Sequence, residues 1–246
     1  MIDLHCHVLP GIDDGPTTLD EAVALARMAS EDGVTTIAAT PHVDAGHPHN
    51  TARAIGARLA ELQPHVALTL VPGGELDALH ALELPDEELD ALKLNRGAYL
   101  LFECPLSPVK APAFAPAARA LARRGHQLLL AHPERSPVFL TDAALLGELV
   151  DEGMLTQVTA GAFGGRFGRR VKELANHLLE HKLVHVIASD GHSANRPPTM
   201  TPDLHELDPG LVRHLTHDVP RAILDGEPPP APPERPKPRR RRLFRP

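Results

Sequence analysis

Aromatic side chains are nearly missing: of 246 residues none is Trp, one is Tyr and six are Phe. A stacking platform for single-stranded nucleic acid needs such rings, so that class is set aside and the core must be aliphatic. Cysteine is equally scarce. Cys6 and Cys104 make no disulfide framework and no Cys-x-x-Cys pair. Neither opens a Cys-x5-Arg loop, because Ile12 and Lys110 stand where the arginine would be, and thiol chemistry on phosphate esters has no support. No apolar run approaches the roughly 18 residues of a membrane span, and the first residues do not read as a charged-then-apolar leader. The expectation is a cytoplasmic protein. Positive charge is also in deficit: the formal net charge is −7 and the isoelectric point near 6.1, which argues against a nucleic-acid surface on the folded body. The deficit is uneven. Residues 227–246 hold seven Arg and Lys against two Glu, leaving about −12 for the rest.

What is present is a strand–helix alternation over residues 1–190. Ile2–His7 reads as strand one. A helix follows from Thr18, where Thr18-Leu19-Asp20-Glu21 is a capping box, and stops at Gly33. Strands are expected at Val34–Thr40, Val66–Val71, Ala98–Glu103, Gln127–Ala131, Leu155–Thr159 and Leu183–Ser189. Helices are expected at 51–63, 112–124, Thr141–Glu152 and 168–181, with Pro85 in the first turn of an acidic helix start. Seven such units point to a parallel α/β barrel, one strand short of the usual eight. Residues 226–246, with eight prolines and the run Arg239–Arg242, read as a disordered Pro/Arg-rich tail. The domain division is therefore 1–225 and 226–246.

On that skeleton the metal-ligand residue types gather at strand ends. Asp3-Leu4-His5-Cys6-His7 opens the chain, and alternation puts Asp3, His5 and His7 on one face. Asp14 lies in the first loop. His42 follows strand two, Glu75 follows strand three, Glu103 ends strand four, His132 follows strand five, and Asp190 and His192 follow strand seven. The carboxyl ends of the strands are where barrel enzymes assemble their sites. Five imidazoles and four carboxylates without a thiolate suit Mn²⁺, Fe²⁺ or Zn²⁺. Nine ligands are too many for one ion and suggest two or three, with Glu75 as a bridge. Such a cluster clamps a phosphoryl oxygen and acidifies water. Asp3 reads either as the partner of a ligating histidine or as a strand-start turn acid. Arg135 and Arg196 stand beside the ligands, and a guanidinium fork suits phosphate. The other eleven histidines, His47 and His49 included, read as solvated or packed.

The blocks Met1–Gly15 with Ile12-Asp13-Asp14-Gly15-Pro16, Thr40-Pro41-His42, Gly74-Glu75, Leu101-Phe102-Glu103, Ala131-His132-Pro133-Glu134-Arg135, Leu183–His192 and Arg196-Pro197-Pro198 resemble the PHP (polymerase and histidinol phosphatase) metal hydrolases. Within that superfamily they are most similar to the bacterial tyrosine phosphatases of capsule and exopolysaccharide loci, the CpsB/YwqE group. The resemblance covers about residues 1–225 and implies a distorted (β/α)7 TIM-like barrel of the PHP type with a trinuclear, usually manganese-dependent site. By that resemblance one ion takes His5, His7, Glu75 and Asp190, a second takes Glu75, Glu103 and His132, and a third takes Asp14, His42 and His192. Arg135 and Arg196 match its phosphate-binding arginines. The implied substrate is phosphotyrosine on the tail of a tyrosine autokinase that controls polysaccharide export. Val43, where relatives often carry a second basic residue, and the short loop 43–50 depart from the pattern, and the basic tail has no counterpart in it.

The leading expectation is thus a metal-dependent protein-tyrosine phosphatase in which metal-bound hydroxide attacks phosphorus and His42 or His192 protonates the leaving group. A small-molecule phosphatase, such as one acting on histidinol phosphate, is the alternative. An amidohydrolase would want a strand-end lysine, and none of Lys93, Lys110, Lys172, Lys182 and Lys237 ends an expected strand. A non-catalytic scaffold binding a kinase, or an anionic membrane through the basic tail, is the remaining reading. The oligomeric state is not assigned.

Overall fold

The aliphatic runs form short parallel strands in the computed structural model, which describes residues 1–233. These are β1 (Ile2–Cys6), β2 (Thr36–Ala39), β3 (His42–Val43), β4 (Thr69–Pro72), β5 (Glu75–Leu76), β6 (Tyr99–Glu103), β7 (Gln127–Ala131), β8 (Leu155–Thr159) and β9 (Val186–Ala188). They lie in two sheets, ordered β1-β2-β4 and β3-β5-β6-β7-β8-β9. Every residue of β1 is buried, as expected of parallel strands covered on both faces.

The expected strands two and three, Val34–Thr40 and Val66–Val71, are each followed by a further two-residue piece outside those bounds, β3 and β5, and the chain chemistry explains the breaks between. Pro41 separates β2 from β3, and Pro72 closes β4 before Gly73 and Gly74 lead into β5. A proline has no N–H for the ladder. The glycines allow close approach here: a Cβ on Gly73 would come within 2.9 Å of the Leu94 side chain, and one on Gly74 within 2.9 Å of Val43. Pairing then resumes in the other sheet, with Glu75 N–H donating to Pro41 O at 3.0 Å and Asp77 N–H to Val43 O at 3.2 Å. Residues 66–68, expected in a strand, form a loop because the Gln63 amide binds Leu68 O at 3.0 Å and accepts from Leu70 N–H at 2.8 Å. The stretch after β9 lies against β1: Asp190 N–H donates to His5 O and His7 N–H to Gly191 O, each at 2.9 Å.

Between the strands run α1 (Leu19–Glu31), α2 (Ala52–Leu62), α3 (Ala78–Glu83), α4 (Asp86–Leu92), α5 (Ala111–Arg123), α6 (Pro137–Thr141), α7 (Ala143–Asp151), α8 (Ala160–Gly164) and α9 (Arg169–Glu180). The Thr18/Glu21 capping box is formed. Pro85 is the N-cap of α4 rather than a residue of its first turn. The expected helix over 141–152 breaks at Asp142, whose side chain caps α7 by accepting from Leu145 N–H at 3.3 Å. Past β9 come α10 (Thr201–Leu204), α11 (Pro209–Arg213) and α12 (Val219–Asp225), which the short, proline-interrupted pattern did not announce.

Apolar burial has two parts. The larger joins helices to the outer sheet faces, with Leu25, Ile55, Phe114, Leu146 and Leu178 among its members. The smaller fills the space among the strands with Ile2, Leu4, Leu101, Leu129 and Val186, and α12 closes it with Val219, Ile223 and Leu224. Residues 227–233 form neither helix nor strand. The rest of the expected tail, with Arg239–Arg242, lies outside the described residues.

Candidate metal centre

The nine ligand-type residues converge at the carboxyl ends of the strands. His5 is in β1 and His7 just past it; both are fully buried. His42 opens β3 and Glu75 opens β5, placed there by the resumption of pairing after the proline breaks. Glu103 is the last residue of β6, half-buried. His132 and Asp190 follow β7 and β9 with φ of 39° and 52°. That left-handed conformation is uncommon in residues with a side chain, and here it turns both side chains of buried residues into the same space.

Three sets of ligand atoms each lie within 4.8 Å of one another: His7, Asp14, His42 and His192; His5, His7 and Glu75; and Glu75, Glu103 and His132. Glu75 is the hub. Its Oε1 is 2.8 Å from His132 Nε2, and its Oε2 is 3.1 Å from His42 Nδ1, 3.2 Å from His7 Nε2 and 3.3 Å from His5 Nε2. Asp14 Oδ1 reaches His192 Nε2 at 3.2 Å and His42 Nε2 at 3.6 Å. Asp190 Oδ1 stands 3.4 Å from His5 Nε2 and 3.7 Å from His7 Nε2. Against the three groupings implied by the resemblance there are two differences: His7 also belongs with Asp14, His42 and His192, and Asp190, though near His5 and His7, is not in the set with Glu75.

The outer nitrogens of three of the five ligand-type histidines are tied back, which sets their tautomers. His7 Nδ1–H donates to Asp13 Oδ2 at 2.7 Å, His5 Nδ1–H to Gln157 Oε1 at 2.9 Å, and His192 Nδ1–H to Asp190 O at 3.0 Å. Each leaves Nε2 as a lone-pair donor toward the cluster. Asp13 and Gln157 were not anticipated. Asp13 had a signal in its place beside Asp14, whereas a glutamine in a strand gives none. Of the two readings of Asp3 the structure favours the structural one: its oxygens accept from the Ser189 N–H at 3.0 Å, the Ser189 Oγ–H at 2.5 Å and the His5 N–H at 3.3 Å, and it bonds no imidazole. The aligned face was right, but the backbone of the neighbouring strand end took the carboxylate.

Electrostatically the cluster is built for positive charge. Burial alone would depress His42, but the Glu75 carboxylate outweighs it through a hydrogen bond and its charge, and holds the ring up at about 9. His7 is likewise driven well above its ordinary range, against its own burial, by Asp13 and Glu75. Burial and then the Glu75 charge push Glu103 up to about 7. A cation between the two glutamates and His132 would relieve that repulsion, and His132 Nδ1 is buried with no hydrogen-bond partner. The nitrogen and oxygen donor set, without sulfur, fits borderline or hard divalent ions. Cys6 and Cys104 are buried, with burial raising both thiols well above the ordinary range.

Arg135 and Arg196 arrive from different loops at one atom, Asp190 Oδ2. Arg135 Nη1 donates to it, and so does Arg196 Nη2 at 2.8 Å. The Arg135 guanidinium also lies over the Phe167 ring, 4.5 Å from its centroid. His47 stacks on His42 with ring centroids 5.8 Å apart and bonds Asp44.

Residues 1–224 match the family described as capsular polysaccharide synthesis, CpsB/CapC. The chain is 34% identical over 199 residues to the tyrosine-protein phosphatase YwqE of Bacillus subtilis (strain 168), covering 78% of each. Among solved structures it is similar to that of YwqE from Bacillus subtilis and CpsB from Streptococcus pneumoniae, described as unique metal-dependent tyrosine phosphatases. The TM-score is 0.78 at 30% identity, covering 96% of this chain and 100% of that one. A dihydropyrimidinase from Brevibacillus agri, 13% identical with a TM-score of 0.50 over 78% of this chain and 57% of its own, shares the fold alone.

Proposed function

The chain belongs to the CpsB/CapC family of capsular polysaccharide synthesis, and from that premise we propose that it is a metal-dependent phosphatase hydrolysing phosphotyrosine on a protein. The observation that carries this reading is the buried cluster: three ligand sets joined through Glu75 and His7, with two arginines meeting at its edge. The relatives named as tyrosine phosphatases support it. We read the two sheets as arcs of one distorted (β/α)7 barrel, with residues 1–225 as the catalytic unit and 226–246 as a separate tail.

In this reading the centre holds two or three ions, Mn²⁺ by preference with Fe²⁺ or Zn²⁺ as alternatives. His5, His7, Glu75 and Asp190 would hold one; Glu75, Glu103 and His132 a second; Asp14, His42 and His192, with His7 within reach, a third. When bound, the ions supply Lewis acidity toward the phosphoryl oxygens and lower the pKa of water enough for it to act as nucleophile near neutral pH. The remaining work falls to the protein. Asp13 and Gln157 keep the His7 and His5 rings in the donor tautomer. Arg135 and Arg196 exchange the outer oxygen of Asp190 for phosphoryl oxygens and stabilise the charge that builds on them. Phe167 keeps the Arg135 plane in place. The leaving phenolate has a pKa near 10, so it needs less protonation than an alkoxide; with two ions bound and the third set uncommitted, His42, with 20% of its side chain exposed, or His192 is the group we assign to provide it.

The substrate is a phosphotyrosine protein, which we identify with the tail of a tyrosine autokinase of polysaccharide export, and the setting is cytoplasmic. No helix among the described residues is long and apolar enough to cross a membrane. The test is to strip the protein with chelator, restore Mn²⁺, Fe²⁺, Zn²⁺ or Mg²⁺ singly, and assay a phosphotyrosine peptide beside histidinol phosphate. Metal-restored turnover favouring the peptide, abolished in His132→Ala, is expected. Preference for histidinol phosphate would move the function to small-molecule metabolism, and no turnover with any ion would refute catalysis.

A further inference from the structure

The segment Arg166-Phe167-Gly168-Arg169-Arg170-Val171-Lys172 carries four basic residues in seven with no acid before Glu173, in a chain whose net charge is −7. Two contacts fix it beside the metal centre. The Phe167 ring lies under the Arg135 guanidinium, and α9, which begins at Arg169, packs against the turn Pro133–Arg135. Arg135 in turn donates to Asp190 in the cluster. Arg166 is held by Asp203 at 2.7 Å. Arg169 and Arg170 are left at the surface: Arg169 is 88% exposed with a loose 3.5 Å contact to Glu173, and Arg170 has no ion-pair partner among the described residues.

We propose that Arg169 and Arg170 form a docking rim for an acidic stretch of the protein substrate flanking its phosphotyrosine, an inference that rests on the phosphatase reading above. A phosphotyrosine with acidic neighbours is a polyanion approaching a protein of like net charge. A local positive field next to the site reverses that repulsion along the approach that ends at Arg135. Exposed ion pairs are individually modest, so the rim acts on encounter and on peptide affinity and not on the chemical step.

The experiment uses the full chain loaded with Mn²⁺, as wild type, Arg169→Ala/Arg170→Ala and Arg169→Glu/Arg170→Glu. The probes are p-nitrophenyl phosphate, a phosphotyrosine peptide flanked by Asp and Glu, and the same peptide flanked by Ser and Asn. Wild type should favour the acidic peptide in kcat/KM by about three- to tenfold. The double alanine variant should lose that preference and the double glutamate variant should invert it, with turnover of p-nitrophenyl phosphate unchanged. Fluorescence anisotropy of a non-hydrolysable phosphonate form of the acidic peptide should show the same order of affinities, converging as salt is raised to several times physiological. Equal handling of both peptides by all three proteins overturns the rim. Loss of binding to anionic vesicles in the glutamate variant, with no effect on peptides, also overturns it and reassigns the arginines to a membrane. Absence of turnover on every phosphotyrosine probe by wild type would instead defeat the phosphatase reading.

Discussion

Asp13→Asn isolates what the outer partners of the centre contribute. The Asp13 carboxylate makes three contacts: Oδ2 accepts His7 Nδ1–H at 2.7 Å and His42 N–H at 3.0 Å, and Oδ1 accepts Gly15 N–H at 2.9 Å. Asparagine has the same shape but one acceptor oxygen. Whichever way the amide turns, its NH₂ faces either the His7 ring or the Gly15 N–H, and one donor meets another. The loss is one charge-assisted hydrogen bond of about 1.5–3 kcal/mol. That corresponds to about 10- to 100-fold in metal affinity, the range found when the outer partner of a ligating histidine is removed. His7 lies in two of the three ligand sets, so the weakening should reach at least two ions. Titration calorimetry of Mn²⁺ into chelator-treated wild type and variant reads the effect directly. Melting of both metal-free proteins separates it from simple destabilisation. Affinities within twofold of wild type for every ion would refute the argument that Asp13 orients and strengthens His7.

Three further outcomes follow from other parts of the molecule. Arg135→Lys keeps the charge but loses the planar fork and the stacking on Phe167, and should cut kcat/KM on a phosphotyrosine peptide about 100-fold with metal stoichiometry retained; near-normal turnover would count against a phosphate role. In Gly191→Ala the new Cβ would lie 2.6 Å from Pro198 Cα and 2.8 Å from its N. Because that obstacle is backbone, calorimetric melting should show about 1–3 kcal/mol of destabilisation together with weaker metal binding; an unchanged melting temperature would contradict it. His185 is depressed from 6.5 to about 4, by burial first and then by the His214 charge. The unfolded chain therefore takes up the proton first, and this contribution to stability is complete above pH 6.5 and lost as pH falls toward 4, by on the order of 3 kcal/mol. Urea unfolding of His185→Asn across that window should show a shallower pH slope than wild type; identical slopes would show that His185 is not the group responsible.

Features governed by neighbours a few residues away could be read without coordinates. The Thr18/Glu21 capping box is such a case, as is the β1 alternation that sends His5 and His7 to one side. Their convergence with His42, Glu75, Glu103, His132, Asp190 and His192 followed from a single rule about strand ends. What escaped depends on which neighbour claims an oxygen. Asp13 and Asp14 are indistinguishable as adjacent acids, yet the turn to Gly15 sends Asp13 inward against His7 and leaves Asp14 more than half exposed. Asp3 lay on the predicted face but was claimed by Ser189. Gln157 cannot be found by its charge, because it has none, and its role exists only because β8 lies beside β7 and opposite His5. The strand ends at Pro41 and Pro72 had a signal, the missing N–H, and the expected strands stop just before them; the two-residue pieces β3 and β5 that resume pairing beyond are too short to show a periodicity. Of the helices at 201–225, α12 is held by burial against the strands, with Ile223 fully buried, and α10 by packing on α8, more than by their own periodicity.

The central claim is that the cluster around Glu75 binds several ions and that phosphotyrosine hydrolysis depends on them. It is tested most directly by measuring bound Mn²⁺ per chain by elemental analysis in the same samples assayed for phosphate release from a phosphotyrosine peptide, from chelator-stripped to saturated. The account predicts no turnover in the stripped protein and activity that rises with occupancy to two or three ions per chain, with both lost in Glu75→Gln. Full turnover by stripped protein, or by Glu75→Gln, would contradict it.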